Sequence, residues 1–161
     1  MEMRERGVVS PSGWAAVYEA HADRLVQLAT FLVGPHAALD LVQEAVARAV
    51  HAASWPAVAE PGAYLTRVLV NEAHRKTGQD WRRRQREERA AVAEPVEAYG
   101  VDTDVRAAVR DLSAQQRAII FCCYWEDLTI PDVARRLGVS EGTVRRQLAR
   151  AKAKLRKVLD G

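Results

Sequence analysis

Apolar residues recur at intervals of three and four along most of this chain. From about Gly13 to Val33, Trp14, Val17, Tyr18, His21, Leu25, Leu28, Ala29 and Leu32 mark one face of an amphipathic helix. Gly34-Pro35 ends it. A second helix, about His36 to Ala53, turns Leu39, Val42, Ala45, Val46, Ala49 and Val50 inward and leaves Asp40, Gln43, Glu44, Ala47 and Arg48 on a polar side. Ser54–Gly62 holds two prolines and a glycine and cannot continue a helix. A third helix spans about Ala63 to Lys76, with extension to Glu88 left open. It carries Tyr64, Leu65, Val68, Leu69 and Ala73 as apolar positions and Arg67, Asn71, His74 and Arg75 elsewhere.

Residues 90–104, AAVAEPVEAYGVDTD, lack periodicity and mix proline, glycine and acids, which predicts a linker. Beyond it, VRAAVRDL and SAQQRAIIFCCYWEDL predict two more helices, the second capped by Ser113. Thr129 then caps a short helix with Pro131 in its first turn, Asp132 reaching back to the capping position, and Ile130, Val133, Ala134 and Leu137 on one face. Gly138 supplies a sharp turn. Ser140 caps a last helix whose seam is Val144, Leu148, Ala151, Leu155 and Val158. At about 100° per residue, Arg146, Ala149, Arg150, Ala153 and Lys157 face the other way, flanked by Arg145 and Arg156. This is a helix-turn-helix pattern, whose second helix enters the DNA major groove. The competing reading is an ordinary amphipathic helix with a solvated basic face.

Strand-like alternation is absent, so the fold expected is all-α. Two small helical domains are joined by a flexible linker, the C-terminal one a winged-helix-like or helix-turn-helix unit of four helices. The boundaries expected are a leader at 1–12, domains at 13–88 and 105–161, and a linker at 89–104.

Charge changes this picture more through its distribution than its total. The 161 residues sum to only +3. Residues 75–89 hold 7 Lys/Arg against 3 Asp/Glu and residues 134–158 hold 9 against 1, whereas residues 1–74 hold 5 against 8 and residues 90–133 hold 3 against 8. Two basic blocks separated by acidic stretches match two nucleic-acid contacts on one chain. Near the first block, isolated aromatics and the run WRRRQREER suit a strand held by its phosphates with bases on ring faces; a solvated helix end is the rival reading.

Other chemistries find little support. No run approaches a membrane span, and MEMRERGVVSPSGW lacks the apolar stretch of a signal peptide, so a cytoplasmic location is expected. Adjacent Cys122 and Cys123 are poorly placed to bridge each other and read as buried free thiols. Metal ligands at suitable spacing, a nucleophile triad and a phosphate-cradling glycine loop are missing. No cofactor, no metal and no enzymatic activity are expected.

Three segments in this order carry a family resemblance: DLVQEAVARAV, then YLTRVLVNEAHR with an Arg run behind it, then LSAQQRAIIFCCYWEDLTIPDVARRLGVSEGTVRRQLARAKAKL. The chain from about Trp14 to Leu159 resembles an extracytoplasmic-function (ECF) sigma factor of bacterial RNA polymerase, and VLVNEAH followed by Trp-Arg-Arg-Arg resembles the actinobacterial SigE-like group. The helix-turn-helix motif alone is shared with other regulators; DLVQE roughly 90 residues ahead of it makes the match specific.

The resemblance implies a protein that lends core polymerase promoter selectivity and helps open DNA. Asp40, Leu41, Gln43, Glu44 and Arg48 would dock on the clamp helices of the polymerase β′ subunit. Trp55, Tyr64, Arg67, Asn71, His74, Arg75, Lys76 and the run Arg82, Arg83, Arg84 would read and melt the promoter −10 element. Ser140, Thr143, Arg145, Arg146, Gln147, Arg150, Lys154 and Lys157 would read the −35 element, with the same unit touching the β flap. Promoter DNA and the polymerase core are the partners implied, and an anti-sigma factor is left open as a third. The chain departs from the family at Leu39 (commonly Glu), at Tyr64 (commonly Trp), at Arg75 (frequently Asp) and at Arg145-Arg146-Gln147 (commonly Lys-Ser-Arg). Two other readings are a stand-alone helix-turn-helix regulator and a sigma-like adaptor that binds polymerase without reading promoters.

Overall fold

The structure, a computed structural model, describes residues 11–52, 58–87 and 103–160, without the side-chain surroundings of residues 11, 12, 80–87, 103 and 106. Helix α1 (Pro11–Val33) stops where the amide of Gly34 donates to the Thr30 carbonyl at 2.9 Å. Gly34, at φ 88°, is the entire connection to α2 (Pro35–His51), which opens on Pro35 at a position where a missing N–H costs nothing. The third helix, α3 (Pro61–Glu87), starts on Pro61-Gly62, two residues that the sequence placed in the preceding loop, and runs unbroken into the arginine-rich stretch. Leu25, Leu28 and Leu32 of α1, Leu41, Val42 and Ala45 of α2, and Leu65 and Leu69 of α3 form the core of this lobe. His21 belongs to its packing, its ring lying against Gly62.

Helix α2 keeps the expected seam at Val42, Ala45, Val46 and Ala49, with Val50 half-buried, and departs from it at Leu39. Its buried set is Ala38, Leu41, Val42, Ala45, Val46 and Ala49, a regular 3–4 spacing, and Leu39 is 54% exposed. Leu39 therefore is not inward. Leu41, assigned to polymerase docking, is fully buried and cannot reach a partner.

The second lobe holds α4 (Thr103–Arg110), α5 (Ala114–Ile120), a π-helical turn (Phe121–Trp125), α6 (Ile130–Leu137) and α7 (Glu141–Leu159). Ser113 and Gln116 close a reciprocal capping box on α5. The π turn, with the Glu126 amide bonded to the Phe121 carbonyl at 3.1 Å, ends the helix that the sequence read as running on through Trp125. No strand occurs among the described residues, so the described unit is a helix-turn-helix without a wing. Ile119, Cys122, Val133, Ala134 and Val144 form its core.

The expected linker and leader lie outside the described residues, apart from Pro11 and Ser12 of α1 and Thr103 and Asp104 of α4. The two lobes pack on each other: α5 lies against α1 and α3, and α6 against α3. Ala114, Ala118 and Phe121 are part of the first lobe's core, and the Phe31 and Phe121 rings meet at 5.9 Å.

Candidate nucleic-acid interface

The turn between α6 and α7 is built by local chemistry. Thr129 accepts from the Asp132 amide, and its hydroxyl donates to the Asp132 carboxylate at 2.6 Å. That hydroxyl and the Arg135 guanidinium hold Asp132 below the usual carboxylate range. Gly138 takes the left-handed conformation at φ 67°, and Ser140 accepts from the Thr143 amide at 3.1 Å to start α7. Val144, fully buried, anchors α7 against Cys122, Val133 and Ala134.

With that face fixed, Arg145, Arg146, Arg150, Lys154, Arg156 and Lys157 are exposed on the other. Arg145 pairs with Glu141 at 3.2 Å, Arg146 donates to Thr143 at 3.3 Å, and Lys154 reaches the Asp111 carbonyl at 3.2 Å. Exposed guanidinium groups with such weak surface partners are available to phosphates and base edges. Three candidates stand apart from this cationic face. Ser140 and Thr143 are occupied as the helix cap, 2.9 Å apart through their hydroxyls. Gln147 accepts from the buried Gln116 amide at 3.0 Å and so ties α7 to α5.

On α3, Tyr64, Arg67, Asn71, His74 and Arg75 fall within a stripe about 100° wide. Asn71 and His74 are exposed, and Tyr64 is half-buried against the core. Arg67 leaves the stripe to donate to the last carbonyls of α6, Arg135 at 2.8 Å and Arg136 at 3.3 Å. Lys76 turns toward α2 and pairs with Glu44 at 3.0 Å. Glu72, 5% exposed, is held by Arg48 and by Arg75 at 3.1 Å. These side chains line an open groove between α2 and α3, so Glu44 and Arg48 are structural ties as well as surface groups. Trp55 lies outside the described residues. Arg82, Arg83 and Arg84 are on the last turns of α3, with their side chains outside the description.

Asp40, Gln43, Glu44 and Arg48 share the exposed side of α2, as the sequence predicts, and exposed Leu39 joins them. Leu39 was missed because it was counted into the apolar seam. The signal lay in the 3–4 series from Ala38 to Ala49, which leaves Leu39 out. Burial pushes the Cys122 thiol up to about 12, helped by nearby Glu126, and also raises half-buried Cys123. Neither suits nucleophilic chemistry. Among the described residues there is no group of three metal-ligating side chains, and no helix is long and apolar enough to cross a membrane.

Comparison with known proteins places both lobes. Residues 17–87 match Sigma-70 region 2 and residues 102–155 match Sigma-70 region 4. An RNA polymerase sigma-E factor of Streptomyces antibioticus is 32% identical over 136 residues, 78% of this chain and 72% of that protein. The sigma-E factor of Streptomyces avermitilis is 32% identical over 149 residues, 86% of this chain and 80% of that one. The ECF sigma factor SigM of Mycobacterium tuberculosis is 42% identical over a shorter stretch of 55 residues, 34% of this chain and 28% of that protein. In fold, the chain is similar to the sigma factor RpoE of Bartonella quintana, solved in complex with the anti-sigma factor NepR. The TM-score is 0.65 at 23% identity, over 91% of this chain and 96% of that one.

Proposed function

The chain belongs to the ECF branch of the sigma-70 family, and from that premise we propose how its residues divide the work of promoter recognition. As a sigma factor it binds core RNA polymerase and directs it to particular promoters for transcription initiation. In our reading the exposed side of α2, Asp40, Gln43, Glu44 and Arg48 with Leu39, docks on the β′ clamp helices. The α3 stripe of Tyr64, Arg67, Asn71, His74 and Arg75, continued by Lys76, Arg82, Arg83 and Arg84 and by Trp55 ahead of it, captures and opens the −10 element. The α7 face of Arg145, Arg146, Arg150, Lys154 and Lys157 reads the −35 element, with Ser140, Thr143 and Gln147 holding that helix in place. The α4–α7 unit also touches the β flap.

The division into working parts is 13–88 and 105–161, with 89–104 as the linker between them. The protein performs no covalent chemistry and acts in the cytoplasm, where its polymerase is. The RpoE relative was solved with an anti-sigma factor, and we extend that class of partner to this chain.

The observation that carries this reading is the pairing, on one chain, of a capped helix-turn-helix bearing an exposed cationic face with a second basic helix in α3. Transcription in vitro from a promoter library, with core polymerase and this protein, tests it. Selective initiation from promoters sharing −35 and −10 sequences is expected, with selection at −35 lost in Arg145→Ala/Arg146→Ala/Arg150→Ala. Unselective initiation, or −35 selection surviving the triple change, overturns it.

A further inference from the structure

Glu72 puts a carboxylate between α2 and α3, with its side chain only 6% exposed. A buried carboxylate is costly unless its charge is met, and two arginines from different helices meet this one. Arg48 reaches across from α2 and pairs with Oε1 through Nε. Arg75, three residues further along α3, donates from Nη1 to both oxygens, at 3.1 Å and 3.3 Å. Beside them Lys76 donates to Glu44 at 3.0 Å, a further tie between the same two helices. The carboxylate cannot swing away from Arg75 without also leaving Arg48.

Arg75 is thereby held at one nitrogen and open at the other two. Among the described residues neither Nε nor Nη2 has a hydrogen-bond partner, and the side chain is 52% exposed. Asn71, also exposed, lies one turn earlier on the same side of α3. The open edge of the guanidinium carries two donors side by side. A free arginine gives up rotamer freedom to make a two-bond contact; one already fixed at Nη1 gives up less. Two adjacent donors ask for two adjacent acceptors. On the edge that base pairing leaves uncovered, guanine alone shows such a pair, O6 and N7. Adenine sets a donor beside N7, cytosine shows a donor, and thymine sets a methyl group beside O4. A phosphate also offers paired acceptors, but it does so at every step and selects no base.

We infer that Arg75 selects a guanine in the −10 element and that buried Glu72 is its positioning residue, presenting the Nε/Nη2 edge to the base. The inference rests on the assignment of α3 to the −10 element and deepens it, naming the base and the two residues that choose it. Glu72 touches no DNA and acts through Arg75. Arg48 contributes by fixing Glu72, besides its place on the docking side of α2.

The test is transcription in vitro by core polymerase carrying the full chain, on promoters randomised in both elements. The wild type is expected to enrich guanine at one −10 position by about fivefold to a hundredfold, the discrimination of one bidentate arginine–guanine pair. Arg75→Ala and Arg75→Lys should both lose that enrichment and keep the preferences at other positions, since lysine retains the charge without the fork. Placing 7-deazaguanine there, which lacks the N7 acceptor, should lower initiation by the wild type and make no difference to Arg75→Ala. Glu72→Gln and Glu72→Leu should each lose most of the enrichment although Arg75 is still present. In Glu72→Leu an apolar side chain fills the buried site while the two half-exposed arginines stay with water, so the fold is kept; circular dichroism checks both variants. Guanine enrichment that survives Arg75→Ala, or enrichment of another base that Arg75→Ala removes, overturns the proposal. So does a uniform loss on all promoters in Arg75→Ala that Arg75→Lys restores, which identifies a phosphate contact. Undiminished enrichment in folded Glu72→Gln and Glu72→Leu overturns the positioning role. Initiation that favours no sequence at either element is the failure of the sigma-factor reading, whereas selection at −35 with no guanine chosen at −10 is the failure of this inference alone.

Discussion

The buried side-chain amide of Gln116 donates to Gln147 at 3.0 Å, joining the capping box of α5 to the middle of the recognition helix. Gln147 is therefore an internal strut on a helix whose exposed arginines point elsewhere. Removing it strands a buried donor, which costs about 1–3 kcal/mol. Gln147→Ala is expected to lower the melting temperature and to weaken promoter binding equally on all sequences.

Arg146 makes the opposite case. It is exposed, and its one polar contact among the described residues is the Thr143 hydroxyl at 3.3 Å. Arg146→Ala should leave stability within about 0.5 kcal/mol and weaken promoter binding by about 1–3 kcal/mol. Holoenzyme binding to promoters with intact and scrambled −35 sequences separates its two possible roles. A loss confined to the intact sequence identifies a base contact, and an equal loss identifies a phosphate contact.

What the sequence allowed to be read, and what it hid, follows the range of the interactions. Caps at Ser113, Thr129 and Ser140 and the turn at Gly138 act within four residues, so local patterns reveal them. The exposed arginines of α7 follow from the seam opposite them. Arg24 of α1 pairs with Glu126, 102 residues away, and nothing near either announces the other. The inward packing of Arg67 on α6 was hidden for the same reason, as was the acceptor role of Gln147. The π turn was missed because helical spacing is read with one fixed period, and FCCYW departs from it.

Gly138 meets two constraints at once. Its φ of 67° disfavours any Cβ, and a Cβ there would lie 2.9 Å from Arg67 Nε. Gly138→Ala should therefore destabilise by about 1–2 kcal/mol from the backbone alone, with a further loss from displacing Arg67. A double-mutant cycle with Arg67→Ala distinguishes the parts by thermal unfolding. The steric part disappears when Arg67 is already absent, whereas the backbone part persists. Strict additivity would show that Arg67 does not rest on this turn.

The thiols give a pH-dependent signature. Cys122 sits at about 12 in the folded chain, above the ~8.5 of an unfolded thiol. A raised folded value means stability fully present below the unfolded value and lost as pH climbs from ~8.5 toward the folded one. Cys122→Ala should flatten that part of the alkaline unfolding profile. At pH 8 a thiol reagent should modify half-exposed Cys123 slowly and Cys122 only after unfolding. Fast native labelling of Cys122 would contradict its burial.

Leu39 and Leu41 are two residues apart on α2 and are expected to fail in opposite ways. Leu41 is fully buried, so Leu41→Ala should cost about 2–5 kcal/mol of stability; polymerase affinity falls only as far as the folded fraction does. Leu39 is 54% exposed beside Asp40 and Gln43, where a large apolar side chain gains little from the fold. At a protein interface the same side chain, buried by a partner, is worth about 1.5–3 kcal/mol. Leu39→Ala should thus keep the melting temperature and weaken association with core polymerase by roughly tenfold or more. Calorimetric unfolding and competition binding to core enzyme read the two effects separately. Normal polymerase affinity in a fully folded Leu39→Ala protein would remove this side of α2 from the docking surface at that position and shift the contact toward Asp40, Gln43 and Glu44.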